Sequence, residues 1–209
     1  MIEETAAGRP YHHGDLRRAL LTAAAEAIEE SGPTALSLRD LARRAGVSHA
    51  APAHHFGDKA GLLTAFATEG FGMLADSLNG IRAENDSLLE LGVGYVGFAV
   101  AHRAHFEVMF RPELFDSEDP ALAAAKQQAS DALRAGVATL PETTAGPEAA
   151  NAQLAAWSIV HGFATLWLGG ALPAEVGTDP EAASRAVIRL LFAPGQDASG
   201  RNDEPGRPR

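Results

Sequence analysis

Residues 37–56 read SLRDLARRAGVSHAAPAHHF. Leu38, Leu41, Ala42 and Ala45 recur at i, i+3, i+4 and i+7, the spacing of one apolar helix face. Ser37 is placed to cap that helix, and Asp40, three residues on, completes a capping box. Arg39, Arg43 and Arg44 fall off the apolar stripe. Gly46 ends the helix where a left-handed backbone is needed, a conformation glycine adopts without steric penalty. Val47 plugs the corner, and Ser48 can cap a second helix. A helix, a turn of three to four residues and a helix make the spacing of a helix-turn-helix. Its second helix would lie in a DNA major groove with its N-terminal residues at the base edges. Ala42, Val47 and Phe56 are read as core, not contacts.

Upstream, Leu16, Leu20, Ala23, Ala24, Ala27 and Ile28 form the buried stripe of a helix from His13 to about Glu30, stopped by Ser31, Gly32 and Pro33. Downstream, Gly57 and Asp58 turn the chain, and Asp58 caps a helix from Lys59 to about Leu78. A break is expected over 79–85. Helices follow over about 86–104, 120–139, 148–171 and 180–192, with one or two turns at 105–110. Gly92, Gly94 and Gly97 are unfavourable in a helix by roughly 1 kcal/mol each, so close packing or ligand space must require them. Residues 148–171 are apolar on most faces, the mark of a central or interface helix. No strand alternation or internal repeat is found. The expected fold is therefore all-α, about nine helices. Its parts are an arm over 1–12, a helix-turn-helix domain over 13–58, a helical body over 59–193 and a disordered tail over 194–209.

The net charge of −10 argues against a protein that coats nucleic acid non-specifically. Residues 1–62 carry seven Arg or Lys against eight Asp or Glu, a balance of −1, and five of the eight His, leaving −9 for the remainder. The N-terminal module can thus be locally positive while the body faces away from DNA. With no Cys there is no disulfide, thiolate nucleophile or Cys-ligated zinc, which fits the cytoplasm. The N-terminus lacks the apolar core of a signal peptide, and no run of 18 apolar residues suggests a membrane span.

Residues 14–72 resemble the DNA-binding domain of TetR-type transcriptional regulators. The likeness rests on the long first helix, LRDLARRAGVS at 38–48, HHF at 54–56 and DKAGLL at 58–63. YHHGDLR at 11–17 and WSIVHGF at 157–163 are similar to one subgroup, whose hallmark is a Trp followed by a His-Gly pair in the penultimate helix. The resemblance implies an all-helical homodimer, bound to a palindromic DNA operator near its own or neighbouring genes and released by a small molecule held in the C-terminal domain. The chain departs from the family at Pro52-Ala53, where Leu-Tyr or Pro-Tyr is usual. The Tyr commonly touches a phosphate. Ala53 forgoes that hydrogen bond, worth ~1 kcal/mol, and leaves the geometry intact.

Ser48, His49, Ala50 and Ala51 open the reading helix. His49 is a donor to guanine or phosphate, or else is solvated. Ala50 and Ala51 suit a thymine methyl. Bidentate readers are scarce, which points to DNA shape or the preceding helix for part of the specificity. His54 is assigned to phosphate, and His55 to packing within the domain. His13, Arg17, Arg39, Arg43 and Lys59 make up the phosphate set, with Arg18 as an alternative to Arg17. For each Arg the competing role is a solvated face paired with Asp40 or Glu30. The His pair has no third ligand, so no metal is assigned, and no cofactor.

In the body, Phe71, Tyr95, Phe98, His102, Phe106, Met109, Phe110, Trp157 and His161 are the candidate lining of a ligand pocket, each with plain core as the alternative. Tyr95, His102 and His161 supply its polar part. Trp167, Leu168, Leu172, Val187, Leu190 and Leu191 are the candidate dimer face, in a four-helix arrangement shared by two chains.

Three functions compete. The first is a ligand-responsive DNA-binding regulator, a repressor before an activator. The second is an enzyme, disfavoured because there is no Cys nucleophile, recognisable Ser-His-Asp set or Gly-rich phosphate loop. The third is a helical protein-interaction factor with weak DNA binding.

Overall fold

The computed structural model describes residues 13–85, 87–138 and 147–192, and the side chains of 16–85, 87–138 and 150–190. The expected arm over 1–12, the tail over 194–209 and the side chains of His13 and Leu191 lie outside the described residues. Among those described there are nine α-helices and no strand. They are α1 (His13–Ala35), α2 (Leu38–Arg44), α3 (Ala51–Phe56), α4 (Lys59–Glu84), α5 (Leu88–Ala101), α6 (Arg103–Met109), α7 (Pro120–Val137), α8 (Pro147–Leu168) and α9 (Pro180–Phe192). Single 3₁₀ turns sit at Pro112–Leu114 and Ala174–Val176.

The punctuation follows the glycines. Gly46 has φ 66° and closes α2 against the next turn. Gly32, at φ 74° and ψ 162°, breaks the regular path of α1 where the sequence places its stop, and Pro33 begins the short turn that completes it. Asp58 caps α4 as expected, its carboxylate accepting from the Gly61 amide at 2.8 Å.

Several boundaries differ from expectation. The Ser37 capping box does not form: the Ser37 side chain makes no cap bond to α2, and the Asp40 carboxylate, the other half of the box, is held by Arg43 and Arg44. Ser48 does not cap α3, whose first residue is Ala51 and whose N-cap is Ala50. α4 runs through the predicted break to Glu84, and Ile81 fills the space left by Gly94. The helix predicted over 86–104 instead turns at His102, with φ −123° and ψ 48°, and α6 begins there.

Buried residues from Leu20 in α1 to Ile188 in α9 form one continuous apolar cluster across both predicted domains. α4 is its spine, packed along α7 and against α5 and α6. α5 lies on α8 and α9. Two of the three α5 glycines are explained by contact: Gly94 faces Ile81, and a Cβ on Gly92 would stand 2.9 Å from Ile188 Cδ1 and 3.2 Å from Val160 Cγ1, whereas Gly97 faces only the Glu181 carboxylate. Arg185 of α9 ties the same junction through a bidentate pair with Glu90. Of the predicted core residues, Ala42 is fully buried, while Val47 and Phe56 are half-buried against the cluster.

Candidate functional site

α1, α2 and α3 form the predicted head. Arg44 locks it from inside: its guanidinium donates to both Glu30 oxygens, at 2.9 and 2.6 Å, and to Asp40 at 2.6 Å, joining α1 to α2. These hydrogen bonds hold the Glu30 and Asp40 carboxyls below their ordinary range. Arg43 is exposed but also donates to Asp40, at 2.6 Å. Part of its charge is therefore spent within the head. Arg39 is exposed and makes no ion pair with a described residue. It is the freer cation of the two. Arg17 is exposed, its guanidinium 5.9 Å from the centre of the Phe56 ring.

Ser48, His49 and Ala50 are exposed in the turn leading into α3. Ala51 is half-buried, and His54 is exposed. Pro52 is buried, so the first turn of α3 is anchored while Ala53 faces outward. Lys59 is only half-exposed, and its ammonium donates to the Thr34 carbonyl at 2.7 Å, fastening α4 to the end of α1. The Asp58 carboxylate occupies an amide at the start of α4 and places a negative charge beside Lys59.

Two cavities in the body each hold several predicted pocket residues. The first, about 350 Å³, is lined by Phe71, Leu74, Leu78, Tyr95, Phe110, Lys126, Ala129, Ser130, Leu133, Ala150, Gln153, Leu154 and Trp157. The second, about 400 Å³, is lined by Arg103, Phe106, Glu107, Phe110, Arg111, His161, Thr165, Leu168 and Gly169. Phe110 belongs to both. Across this partition the Tyr95 hydroxyl lies 3.0 Å from His161 Nδ1 and accepts from the Trp157 indole N–H at 3.2 Å. Burial holds the Tyr95 hydroxyl protonated well above its ordinary range and lowers the His161 pKa. The neutral imidazole is thereby the favoured form, with Nδ1 free to accept from Tyr95.

Of the predicted pocket residues, Phe71, Tyr95, Phe110 and Trp157 line the first cavity; Phe106 and His161, with Phe110, line the second. Phe98, His102 and Met109 line neither. Phe98 is buried with the His102 ring 4.8 Å from its own, and the Met109 sulfur packs where Gly70 leaves room. The polar wall residues Lys126, Ser130 and Gln153 are absent from the predicted lining. Lys126 carried a signal, standing four residues after Leu122 and seven before Leu133 on the apolar stripe of α7.

On the predicted dimer face, Val187 and Leu190 are 39% and 78% exposed. Trp167, Leu168 and Leu172 are half-buried, each packed on one side against the core. Leu166 of α8, 47% exposed, adds to the open apolar surface. Among the described residues, no three of His, Asp and Glu gather as metal ligands, and no helix is long and apolar enough to cross a membrane.

Residues 20–66 match the family described as bacterial regulatory proteins, tetR family, and residues 88–191 match the tetracyclin repressor-like C-terminal domain. A protein of unknown function from Rhodococcus sp. RHA1 is 35% identical, with a TM-score of 0.73 over 88% of this chain and 97% of that one. PfmR, a TetR family transcriptional regulator from Thermus thermophilus, shares the fold at 20% identity and a TM-score of 0.61, over 82% of this chain and 96% of its own. FadR, a transcriptional regulator from Bacillus subtilis solved with stearoyl-CoA, shares it at 16% identity and a TM-score of 0.63, over 84% and 97%. No curated protein matches the chain.

Proposed function

Because the chain belongs to the TetR family of bacterial regulators, we propose that it is a dimeric repressor, of the subgroup marked by Trp157 and His161-Gly162, released from a palindromic operator by a small molecule. The observation that carries the reading is mechanical. One helix, α4, is fastened to the head by Lys59 and lines the body's first cavity with Phe71, Leu74 and Leu78. A ligand that moves these side chains moves the helix that positions the head. A second link runs beside it: α6 packs on both α1 and α4, and His105 stacks on Phe66 at 4.0 Å while its Nε2 lies 3.2 Å from Glu69.

Two heads related by a two-fold axis read two half-sites of opposite direction, so the operator is an inverted repeat. The apolar residues Leu166, Val187 and Leu190 support pairing through α8 and α9. Ligand and operator affinities are then reciprocally coupled through α4. DNA contacts are assigned to Arg17, Arg39, Ser48, His49, Ala50, Ala51 and His54, with Arg43 and Lys59 contributing what their internal bonds leave. The site of action is the cytoplasm, where the DNA is.

The test is a fluorescence-anisotropy titration of duplexes from the upstream intergenic region. Specific binding by ligand-free protein, weakening steeply with added salt, supports the proposal. Absence of specific binding at low salt favours a protein-interaction role. Activation rather than repression of a reporter placed behind the bound site reverses the sign of regulation only.

A further inference from the structure

Lys126 is one of only two lysines in the chain. It sits on the apolar side of α7 and lines the first cavity. Its ammonium lies 5.0 Å from the Phe115 ring centre and 5.7 Å from that of Phe71. No described carboxylate lies within ion-pair distance of it, whereas Arg43, Arg44, Arg111, Arg134 and Arg185 each have one. No described Asp or Glu lines the cavity. The other polar groups there are already engaged: Gln153 donates to Ser130 Oγ at 3.1 Å, and Tyr95 is bonded to Trp157 and His161. Among its described residues the wall therefore presents one positive charge without a carboxylate partner, amid apolar surface.

We propose that this cavity takes a hydrophobic monocarboxylate, its carboxylate on the Lys126 ammonium and its apolar body among Leu74, Leu78 and Leu133. The inference rests on the ligand-responsive reading above and names the chemical class of its ligand. A volume of about 350 Å³ suits one small molecule. A cationic ligand is the natural rival, because Phe71, Phe110 and Trp157 offer aromatic faces. Lys126 already stands over the Phe71 ring, and a second cation would meet it at close range. A neutral ligand would leave the charge uncompensated in an apolar setting. A carboxylate both neutralises it and accepts its hydrogen bonds, the strong charge-assisted kind.

The experiment uses the full chain carrying Trp167→Phe, which leaves Trp157, on the cavity wall, as the single tryptophan reporter. Matched n-alkyl carboxylates, alcohols and ammonium ions, from hexyl to dodecyl, are titrated below their micellar concentrations, and Trp157 emission is followed. The best carboxylate is expected to bind about tenfold or more tightly than its matched alcohol, with the ammonium ion weakest. Lys126→Gln should erase that preference and leave alcohol affinity within about twofold, while Lys126→Arg should keep it. Circular dichroism confirms that each variant is folded. Equal or tighter binding of the alcohol or ammonium ion, or a preference that survives Lys126→Gln, overturns the carboxylate assignment and leaves ligand-responsive regulation standing. No binding by any of the three series overturns the assignment, while the ligand-responsive reading is decided separately by the operator titration.

Discussion

Tyr95 of α5 and His161 of α8 meet through the tyrosine hydroxyl and Nδ1 at 3.0 Å, with the Trp157 N–H donating to the same hydroxyl at 3.2 Å. A single oxygen thus satisfies two ring nitrogens on the wall between two cavities. Tyr95→Phe keeps the ring and removes that oxygen, leaving both nitrogens without their partner. Unfolding by denaturant should show a loss of about 1–3 kcal/mol, the penalty for polar groups left unsatisfied. Trp157 emission should shift as its N–H seeks another acceptor. An unchanged midpoint would mean that water replaces the hydroxyl at no cost.

The histidines give the stability a pH dependence of known sign. Burial lowers the pKa of His161, and burial aided by the His105 charge lowers that of His102, both from an ordinary 6.5. The unfolded chain therefore takes up more protons than the folded one between the lowered values and 6.5, and stability rises with pH across that interval. The stabilisation is whole above pH 6.5 and declines as the pH falls below it. The lowered carboxyls of Asp40 and Glu90 act separately, losing their contribution only as the pH drops through their own depressed values, below 3.8 and 4.5. Melting temperatures recorded from about pH 7.5 to about 5 should fall, and His161→Gln should flatten part of that slope. A slope unaltered in His161→Gln would assign it to other groups.

Close packing explains Gly92 and Gly94 of α5, and a larger side chain tests it. Gly92→Leu drives a branched chain into Ile188 and Val160. A loss of about 1–3 kcal/mol is expected from overpacking. Size-exclusion chromatography should also show weakened self-association if α9 is displaced from α5. A variant as stable as the parent would show that the junction has slack.

Within the head, ion pairing separates two arginines that look alike in the sequence. Arg39→Ala should weaken DNA binding and lower the slope of log affinity against log salt by about 1, the signature of one lost phosphate contact. Arg43→Ala should do less, because its guanidinium is shared with Asp40. Anisotropy titrations across a salt series decide between them. A larger effect from Arg43 would mean that DNA draws it away from Asp40.

The sequence was most legible where local rules act alone. The stripe of Leu38, Leu41, Ala42 and Ala45 and the left-handed Gly46 foretold the helix pair, and Asp58 foretold the start of α4. It was least legible where several groups compete for one atom or one space. The i,i+3 and i,i+4 spacing offers Asp40 to Arg43 and Arg44 and also to a capping box with Ser37, and the spacing alone does not say which prevails. Nothing near Asn79 says that Ile81 will find the gap at Gly94 and carry the helix onward. The cavity was half legible: its aromatics stand out by type, but Lys126 reads as an ordinary surface charge unless its phase on α7 is followed.

The most direct test of the central claim is selection of sheared genomic DNA by the purified, ligand-free protein, with the bound fragments sequenced. A two-fold dimer should enrich an inverted repeat whose half-sites are centred about one helical turn, or a multiple of it, apart. The same enrichment should be lost in an Arg39→Ala, His49→Ala double variant that remains folded and dimeric. Enrichment of no motif, or of the same motif by the double variant, would contradict that claim.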